Sequence, residues 1–169
     1  MSPLRDDDLR VERAAVAATE LSLARCAELY LAVPVVDHGA DLFAYQADPF
    51  RVARIQVKGA TSGLPVHQQY ALSPFIVSYV LDPLDTADVF LLSGTEAWDL
   101  PAGYIAQGGK AKGYDPDDGW YYHFPRRTRL LCSMLAQYAA TPERWLELFG
   151  STAIPEPAQS SGLGWPATF

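Results

Sequence analysis

The chain has 169 residues and a mass of 18.5 kDa, and its 49% hydrophobic content predicts one domain with a hydrophobic core. The formal net charge of -7 argues against a generally basic nucleic-acid binder, because phosphate contacts need Lys or Arg, although one face could still be locally basic. No apolar run reaches the ~20 residues of a membrane span, and the first residues lack a signal peptide's apolar segment, so the expected location is the cytoplasm.

The first predicted element is an amphipathic helix over residues 9 to 31, preceded by acidic residues that favour a helix N-terminus. Its apolar positions recur every seven residues, at Leu9, Val16, Leu23 and Tyr30. Glu12 and Glu20 both fall within about 40° of the centre of this apolar stripe. Each carboxylate either has a functional partner there or reaches past the core to solvent, and the sequence leaves both possibilities open.

Strands are predicted next, beginning with a short one over residues 33 to 36. Two longer strands joined by a turn follow within residues 37 to 59, DHGADLFAYQADPFRVARIQVKG. The stretch from 59 to 74, GATSGLPVHQQYALSP, has turn chemistry and little periodicity, which predicts a loop with room for a short strand near Val66 to Tyr70. Two continuous apolar runs, FIVSYVL (75 to 81) and DVFLLS (88 to 93), predict strands buried on both faces, and hence an α/β sheet with helices on both sides.

Three polar side chains of the two longer strands can converge on one point. Strand alternation puts Asp41 on one face of the first strand, and it puts Arg54, Gln56 and Lys58 together on one face of the second. The carboxylate of Asp41 suits Mg²⁺ or Mn²⁺, while Gln56 and the backbone carbonyl of Val57 could add oxygen ligands. Lys58 could orient or deprotonate a water or neutralise charge on a phosphate, which is the chemistry of phosphodiester hydrolysis. The alternative is an ordinary hairpin whose outer face carries polar side chains.

The second half of the chain contains its densest basic cluster. Lys110 and Lys112 lie in a glycine-rich stretch, AQGGKAKGYDPDDG, that predicts a flexible loop from which they could reach a phosphate. WYYHF (120 to 124) has strand composition and runs into Arg126 and Arg127. Aromatic side chains beside arginines suit nucleic-acid contact, and they suit an edge strand before a helix equally well.

Helices are predicted for most of what remains. Residues 94 to 104 indicate a short helix or an irregular crossover with Thr95 as a candidate cap. Two more helices are predicted over 130 to 140 and 142 to 149, and the Pro-, Gly- and Ser-rich tail from 150 to 169 is predicted to lack regular structure. The predicted domain therefore covers residues 1 to 149.

Four single residues complete the sequence-based predictions. Trp165 and Phe169 in the tail could anchor it to the body or to a second subunit, which leaves a homodimer open. Cys26 and Cys132 each lie inside an apolar helical pattern and form no zinc motif, so buried free thiols are predicted.

The two longer strands also carry a family resemblance. G-A-D-L followed after a turn by R-I-Q-V-K-G, around Asp41, Gln56 and Lys58, resembles the core of the PD-(D/E)XK nuclease superfamily. This sequence departs from the pattern at Gln56, where most members carry Glu or Asp, although some branches have Gln. The helix segment E-L-S-L-A-R-C-A also resembles the superfamily helix that contributes a Glu to the metal site, which makes Glu20 the first choice and Glu12 the reserve.

The resemblance implies a restriction-endonuclease-like α/β fold with a central mixed β-sheet flanked by α-helices. It also implies a metal-dependent nuclease that acts on nucleic acid, with DNA expected first. Asp41, Gln56, Val57 and Glu20 would hold Mg²⁺ or Mn²⁺, Lys58 would act on water, and Arg54 would contact a phosphate. Two alternatives stay open: a nuclease-fold module that binds nucleic acid or protein without cutting, and an unrelated α+β interaction protein.

Overall fold

The fold is α/β, with a mixed central sheet flanked by helices. The computed structural model describes residues 6–35, 39–61, 63–117 and 119–155. The helices and strands in chain order are α1 (Asp6–Ala24), β1 (Tyr30–Ala32), β2 (Leu42–Ala47), β3 (Phe50–Ala60), β4 (Leu64–His67), β5 (Phe75–Leu81), β6 (Asp88–Ser93), α2 (Gly94–Ala106), β7 (Tyr121–Phe124), α3 (Arg129–Leu135), α4 (Pro142–Thr152) and β8 (Ile154–Pro155). None of the helices within these ranges combines the length and apolar character needed to cross a membrane.

The central sheet has the strand order β1-β2-β3-β5-β6, with β8 paired to β3. Strands β3 and β5 are parallel, and all other pairs are antiparallel. Strands β4 and β7 form a separate two-stranded antiparallel sheet. Every residue of β5 is buried, as its continuous apolar run predicts.

Two hydrophobic clusters cover the two faces of the central sheet. One cluster joins α1 and α4 to residues such as Ile55, Ile76 and Val80. The other joins α2, α3 and the β4–β7 pair to residues such as Val77 and Tyr79. Since Gln56 pairs with Val77 and Lys58 pairs with Tyr79 in the register of β3 and β5, these two polar side chains belong to the second face. The predicted helices on both faces of the sheet are confirmed, but burial on both faces holds for β5 only, because β6 is buried at Leu91 and Leu92 and exposed at Asp88.

The predicted first helix is too long at its C-terminal end. Helix α1 ends at Ala24, and Tyr30 lies in β1, where its ring stacks on that of Tyr45 at 5.3 Å. The seven-residue repeat marked the buried face only in part: Leu23 is fully buried and Val16 packs against the core, but Leu9 is 38% exposed. Helix α1 also buries small residues against the sheet, among them Ala15 and Thr19. The hydroxyl of Thr19 lies 2.8 Å from that of Ser78 on β5, so a polar contact replaces part of the expected apolar stripe.

The predicted strand over residues 33 to 36 is also wrong as far as the structure describes it. Val33 and Val35 follow β1 outside any strand, and Val35 is fully exposed. Val36 and the Asp37-His38 turn lie outside the described residues. The sequence predicts the stretch from 59 to 74 mainly as a loop with a short strand near Val66 to Tyr70. A strand is present there, but β4 covers Leu64–His67, where it pairs with the distant β7, and Gln68–Tyr70 form a short 3-10 helix.

Later elements need smaller corrections. Ser93, rather than Thr95, caps α2: its hydroxyl accepts from the N–H of Glu96, whose carboxylate accepts from the N–H of Ser93. The predicted irregular tail begins too early, since α4 runs to Thr152 and β8 pairs with β3; Trp165 and Phe169 lie outside the described residues. Cys26 is buried as predicted, but Cys132 is exposed because α3 buries its other side.

Candidate active site

Asp41 and Gln56 are in direct contact, as strand alternation predicts. Oδ2 of Asp41 accepts a hydrogen bond from the side-chain amide Nε2 of Gln56. The same oxygen accepts a second hydrogen bond from the backbone N–H of Val57 at 2.6 Å. Gln56 is only 8% exposed and Asp41 is half-buried, so this contact lies at the boundary between core and surface.

The contact forms because β3 is longer than β2. Pairing between the two strands ends at Leu42 opposite Ile55, and the N–H of Asp41 adds one further hydrogen bond, to the carbonyl of Ile55 at 2.9 Å. Beyond that point β3 continues to Ala60 with β5 on one side only. The backbone N–H of Val57 therefore needs another acceptor, which the carboxylate of Asp41 supplies.

Lys58 lies at the same end of β3, on the same face as Gln56. Its Nζ is 5.9 Å from the centre of the Tyr70 ring, and the side chain is half-buried. Asp41, Gln56, Val57 and Lys58 all line one surface pocket of about 320 Å³. The three residues singled out from the sequence therefore all line a single pocket.

Helix α1 supplies the other wall of this pocket through Asp8, Val11 and Glu12. The helix approaches β3 closely at Gly59, where an added Cβ would lie 2.9 Å from Cβ of Ala15 and 3.2 Å from Cγ1 of Val11. Glycine is needed there because any side chain would push α1 away from the sheet. The N-terminal half of α1 is thereby held against the end of β3.

Of the two glutamates considered, the structure brings Glu12 to the pocket and not Glu20. Glu20 lies on another surface patch of α1, near Val16 and Ala17. Eight residues separate the two glutamates, which is about 12 Å along a helix. Since α1 meets β3 at Val11 and Ala15, the glutamate that lines the pocket is the reserve candidate rather than the first choice; Glu12 also borders the patch that contains Glu20.

The donor types around the pocket suit a hard divalent cation, because they are carboxylate and amide oxygens. Within the described parts of the chain, no group of three or more His, Cys, Asp or Glu side chains could hold a metal ion. Gln56 would therefore have to supply one of the oxygen ligands alongside Asp41. Its amide must turn to do so, because its nitrogen is the atom that faces Asp41.

The predicted nucleic-acid contacts are scattered. Arg54 places its guanidinium carbon 4.3 Å from the centre of the Phe75 ring, and its Nε is buried with no hydrogen-bond partner among the described residues. Lys110, Lys112 and Arg126 are exposed, and none of them lines the pocket. Their contacts with nucleic acid remain predictions.

Arg127 has a structural partner. Its Nη1 and Nη2 donate to the two carboxylate oxygens of Asp82 at 2.5 and 2.8 Å, and Nη2 also donates to the carbonyl of Thr61 at 3.0 Å. The hydrogen bond to Asp82 raises the pKa of the Arg127 guanidinium. This bidentate pair joins the start of α3 to the ends of β3 and β5, so Arg127 is engaged in holding the fold together.

Replacing Arg127 with Gln should therefore lower the free energy of unfolding by about 1–2 kcal/mol, because the partly buried Asp82 loses a charged donor. The neighbouring exposed Arg126→Gln is the matched control and should change stability by less than about 0.5 kcal/mol. Urea unfolding of both variants measures the difference. Equal stability of the two variants would contradict the structural role of Arg127.

Sequence analysis missed several residues around the pocket. Asp8 was assigned only to the start of the helix, and His67 and Tyr70 fell in the stretch predicted mainly as a loop. The rings of His67 and Tyr70 are 5.4 Å apart, and burial, followed by the charge of Lys58, lowers the pKa of His67. The sequence signal for the position of this strand is the two-residue spacing of the apolar Leu64 and Val66, both of which the structure buries.

Comparison of the chain with protein-family models, with curated proteins and with solved structures found no match. The resemblance to a nuclease superfamily therefore depends on the residues around the pocket and on the order in which they occur.

Proposed function

We propose that this protein is a metal-dependent nuclease that acts in the cytoplasm and hydrolyses phosphodiester bonds of nucleic acid, with DNA as the expected form. The observation that carries the proposal is the shared pocket of Asp41, Gln56 and Lys58 at the end of β3, with Glu12 facing it from α1. The order of these residues and the mixed sheet with helices on both sides support a restriction-endonuclease-like arrangement.

In the proposed site, Asp41 and Gln56 would hold Mg²⁺ or Mn²⁺. The carbonyl of Val57 would add a ligand, and Glu12, which borders the pocket, would assist in preference to Glu20. The bound cation would polarise a phosphoryl oxygen and make water a better nucleophile.

Lys58 would act on the substrate side of the pocket. Its ammonium group would orient the attacking water and stabilise the negative charge that develops on the phosphate. The water oxygen would form a new bond to phosphorus and lose a proton to solvent, the bond to the leaving oxygen would break, and that oxygen would take up a proton from solvent. Arg54 lies two residues before Gln56 on the same face of β3 and is the candidate for a phosphate contact outside the reacting group.

One observation favours a second candidate function, a nuclease-fold module that binds without cutting. Gln56 donates to Asp41 and Val57 donates to the same oxygen, so the carboxylate is stabilised without any cation. Replacing a second acidic ligand with an amide also weakens the electrostatic hold on a divalent ion. Binding of nucleic acid or of a protein partner would then be the whole function.

The two candidates are separated by metal-dependent cleavage. Plasmid DNA, single-stranded DNA and RNA are incubated with the protein in Mg²⁺, Mn²⁺ or EDTA, and Mn²⁺ binding is measured by calorimetry. We expect cleavage with either cation and none in EDTA, and we expect Asp41→Asn to abolish both cleavage and Mn²⁺ binding. Asp99→Asn, at an exposed position on α2, is the matched control and should leave both unchanged.

Absence of metal-dependent cleavage of all three substrates by folded wild-type protein would refute the nuclease proposal. Mn²⁺ binding that survives Asp41→Asn would refute the assigned metal site.

A further inference from the structure

Four aromatic side chains form a continuous row that begins beside Lys58. Tyr70 lies next to the Lys58 ammonium, and its ring is 5.4 Å from that of His67. His67 in turn lies 4.8 Å from Tyr121, and Tyr121 lies 5.6 Å from Trp120. We call Tyr70, His67, Tyr121 and Trp120 the aromatic row; it leads from the candidate active site onto the β4–β7 sheet.

The outer part of the aromatic row is exposed to solvent. His67 and Tyr121 are cross-strand partners on the outward face of the β4–β7 sheet, whereas Val66 and Tyr122 face the core. Trp120 is 73% exposed and Tyr121 is 41% exposed. The core therefore does not account for these two large rings, while the buried Tyr70 anchors the inner end of the row.

Positive charge is concentrated at the inner end of the row. Lys58 lies beside Tyr70, and the guanidinium of Arg54 lies over the ring of Phe75, which contacts Tyr70 at a centroid distance of 5.5 Å. Burial and the charge of Lys58 lower the pKa of His67, so this ring is neutral near pH 7. The surface thus combines cations beside the pocket with uncharged rings leading away from it.

We infer that the exposed rings of the aromatic row, Trp120 and Tyr121, stack the unpaired bases of a single-stranded nucleic acid whose backbone enters the Lys58 pocket. Every base has a face that can stack on an aromatic ring, and cations beside such rings pair with the phosphates. Bases inside a duplex already stack on each other and do not present these faces. The inference rests on the proposed function in one respect: the bound single strand is taken to be the strand that the nuclease cuts. The substrate class is then single-stranded nucleic acid or the single-stranded end of a duplex.

The test measures binding without cleavage. Fluorescence anisotropy in EDTA compares a labelled oligothymidylate of about 12 nucleotides with a blunt duplex of the same length. We expect the single strand to bind at least about tenfold more tightly, and we expect Trp120→Ala and Tyr121→Ala each to weaken its binding about tenfold. Trp120→Phe, which keeps an aromatic face, should retain most of the affinity.

The matched control is Tyr30→Ala, because Tyr30 is also an exposed tyrosine stacked on a neighbouring ring, at the far edge of the central sheet. It should bind the oligonucleotide like wild type, and circular dichroism checks that every variant is folded. Equal binding of single strand and duplex, no binding of either, or unchanged binding by both alanine variants would overturn the inference.

The two proposals fail separately. If single strands bind tightly, Trp120→Ala and Tyr121→Ala weaken that binding, and no metal-dependent cleavage occurs, the nuclease proposal is refuted and the proposal for the aromatic row is supported. If metal-dependent cleavage shows no preference for single strands and is unchanged in Trp120→Ala and Tyr121→Ala, the nuclease proposal is supported and the proposal for the aromatic row is overturned.

Discussion

Replacing Lys58 with Ala should lower the rate of Mg²⁺-dependent phosphodiester cleavage by about 10²- to 10³-fold, which is the loss typical of removing one group that stabilises a transition state. The reason is its position: Lys58 shares the pocket with Asp41 and Gln56 and carries the one positive charge among the lining residues that the structure describes. Single-turnover cleavage rates at saturating Mg²⁺ measure the effect on the chemical step.

A measurement of Mn²⁺ binding distinguishes a specific role of Lys58 in cleavage from a disruption of the whole metal site. Lys58→Ala should not weaken Mn²⁺ binding, because removing a positive charge near a cation does not disfavour the cation. Arg25→Ala removes an exposed positive charge from the other end of α1 and should cleave at the wild-type rate. Wild-type cleavage by Lys58→Ala would rule out its assigned role.

Replacing Gln56 with Glu should make stability depend on the metal. Gln56 is buried and donates to Asp41, so a carboxylate at this position loses a hydrogen bond and brings two negative charges together. We expect the free energy of unfolding in EDTA near neutral pH to fall by about 2–3 kcal/mol. Excess Mg²⁺ should restore the stability, because the cation binds both carboxylates in the folded state only.

The same variant has a defined pH dependence. Close contact raises the pKa of one of the two carboxyl groups above its unfolded value. The destabilisation is therefore absent at low pH, where that carboxyl group is protonated in both the folded and the unfolded protein. It develops as the pH rises above the pKa of the group in the unfolded protein and through its raised pKa in the folded protein. Urea unfolding as a function of pH, with and without Mg²⁺, measures both effects.

The exposed Gln69→Glu serves as the control and should show neither dependence. Metal-dependent cleavage by Gln56→Glu should equal or exceed that of wild type, since the substitution restores the commoner acidic ligand. A Gln56→Glu protein as stable in EDTA as wild type would contradict the hydrogen bond between Gln56 and Asp41.

The strands that form the middle of the fold could be predicted closely. The apolar runs over 75 to 81 and 88 to 93 coincide with β5 and β6. Every residue of β5 is buried, which requires a largely apolar strand, whereas β6 stands last in the strand order and is buried only at Leu91 and Leu92. Alternation along β3 also assigned Gln56 and Lys58 to one face and Ile55 to the other, which the two hydrophobic clusters confirm. These features depend on the residues of a single segment.

Features that depend on distant segments could not be predicted in the same way. The pairing of His67 with Tyr121 joins residues 54 positions apart in the chain, and neither strand carries a local signal of its partner. The choice between Glu12 and Glu20 followed from where α1 contacts Gly59, which helical periodicity alone does not specify.

The sequence by itself determined which side chains could act together, because the two-residue period of a strand is a local property of the backbone. Only the tertiary structure decided what surrounds these side chains. It leaves the end of β3 without β2 as a neighbour, brings Glu12 of α1 to the pocket, and places the aromatic row beside Lys58. These contacts depend on register and helix placement, which are set by packing across the whole domain rather than by any one segment.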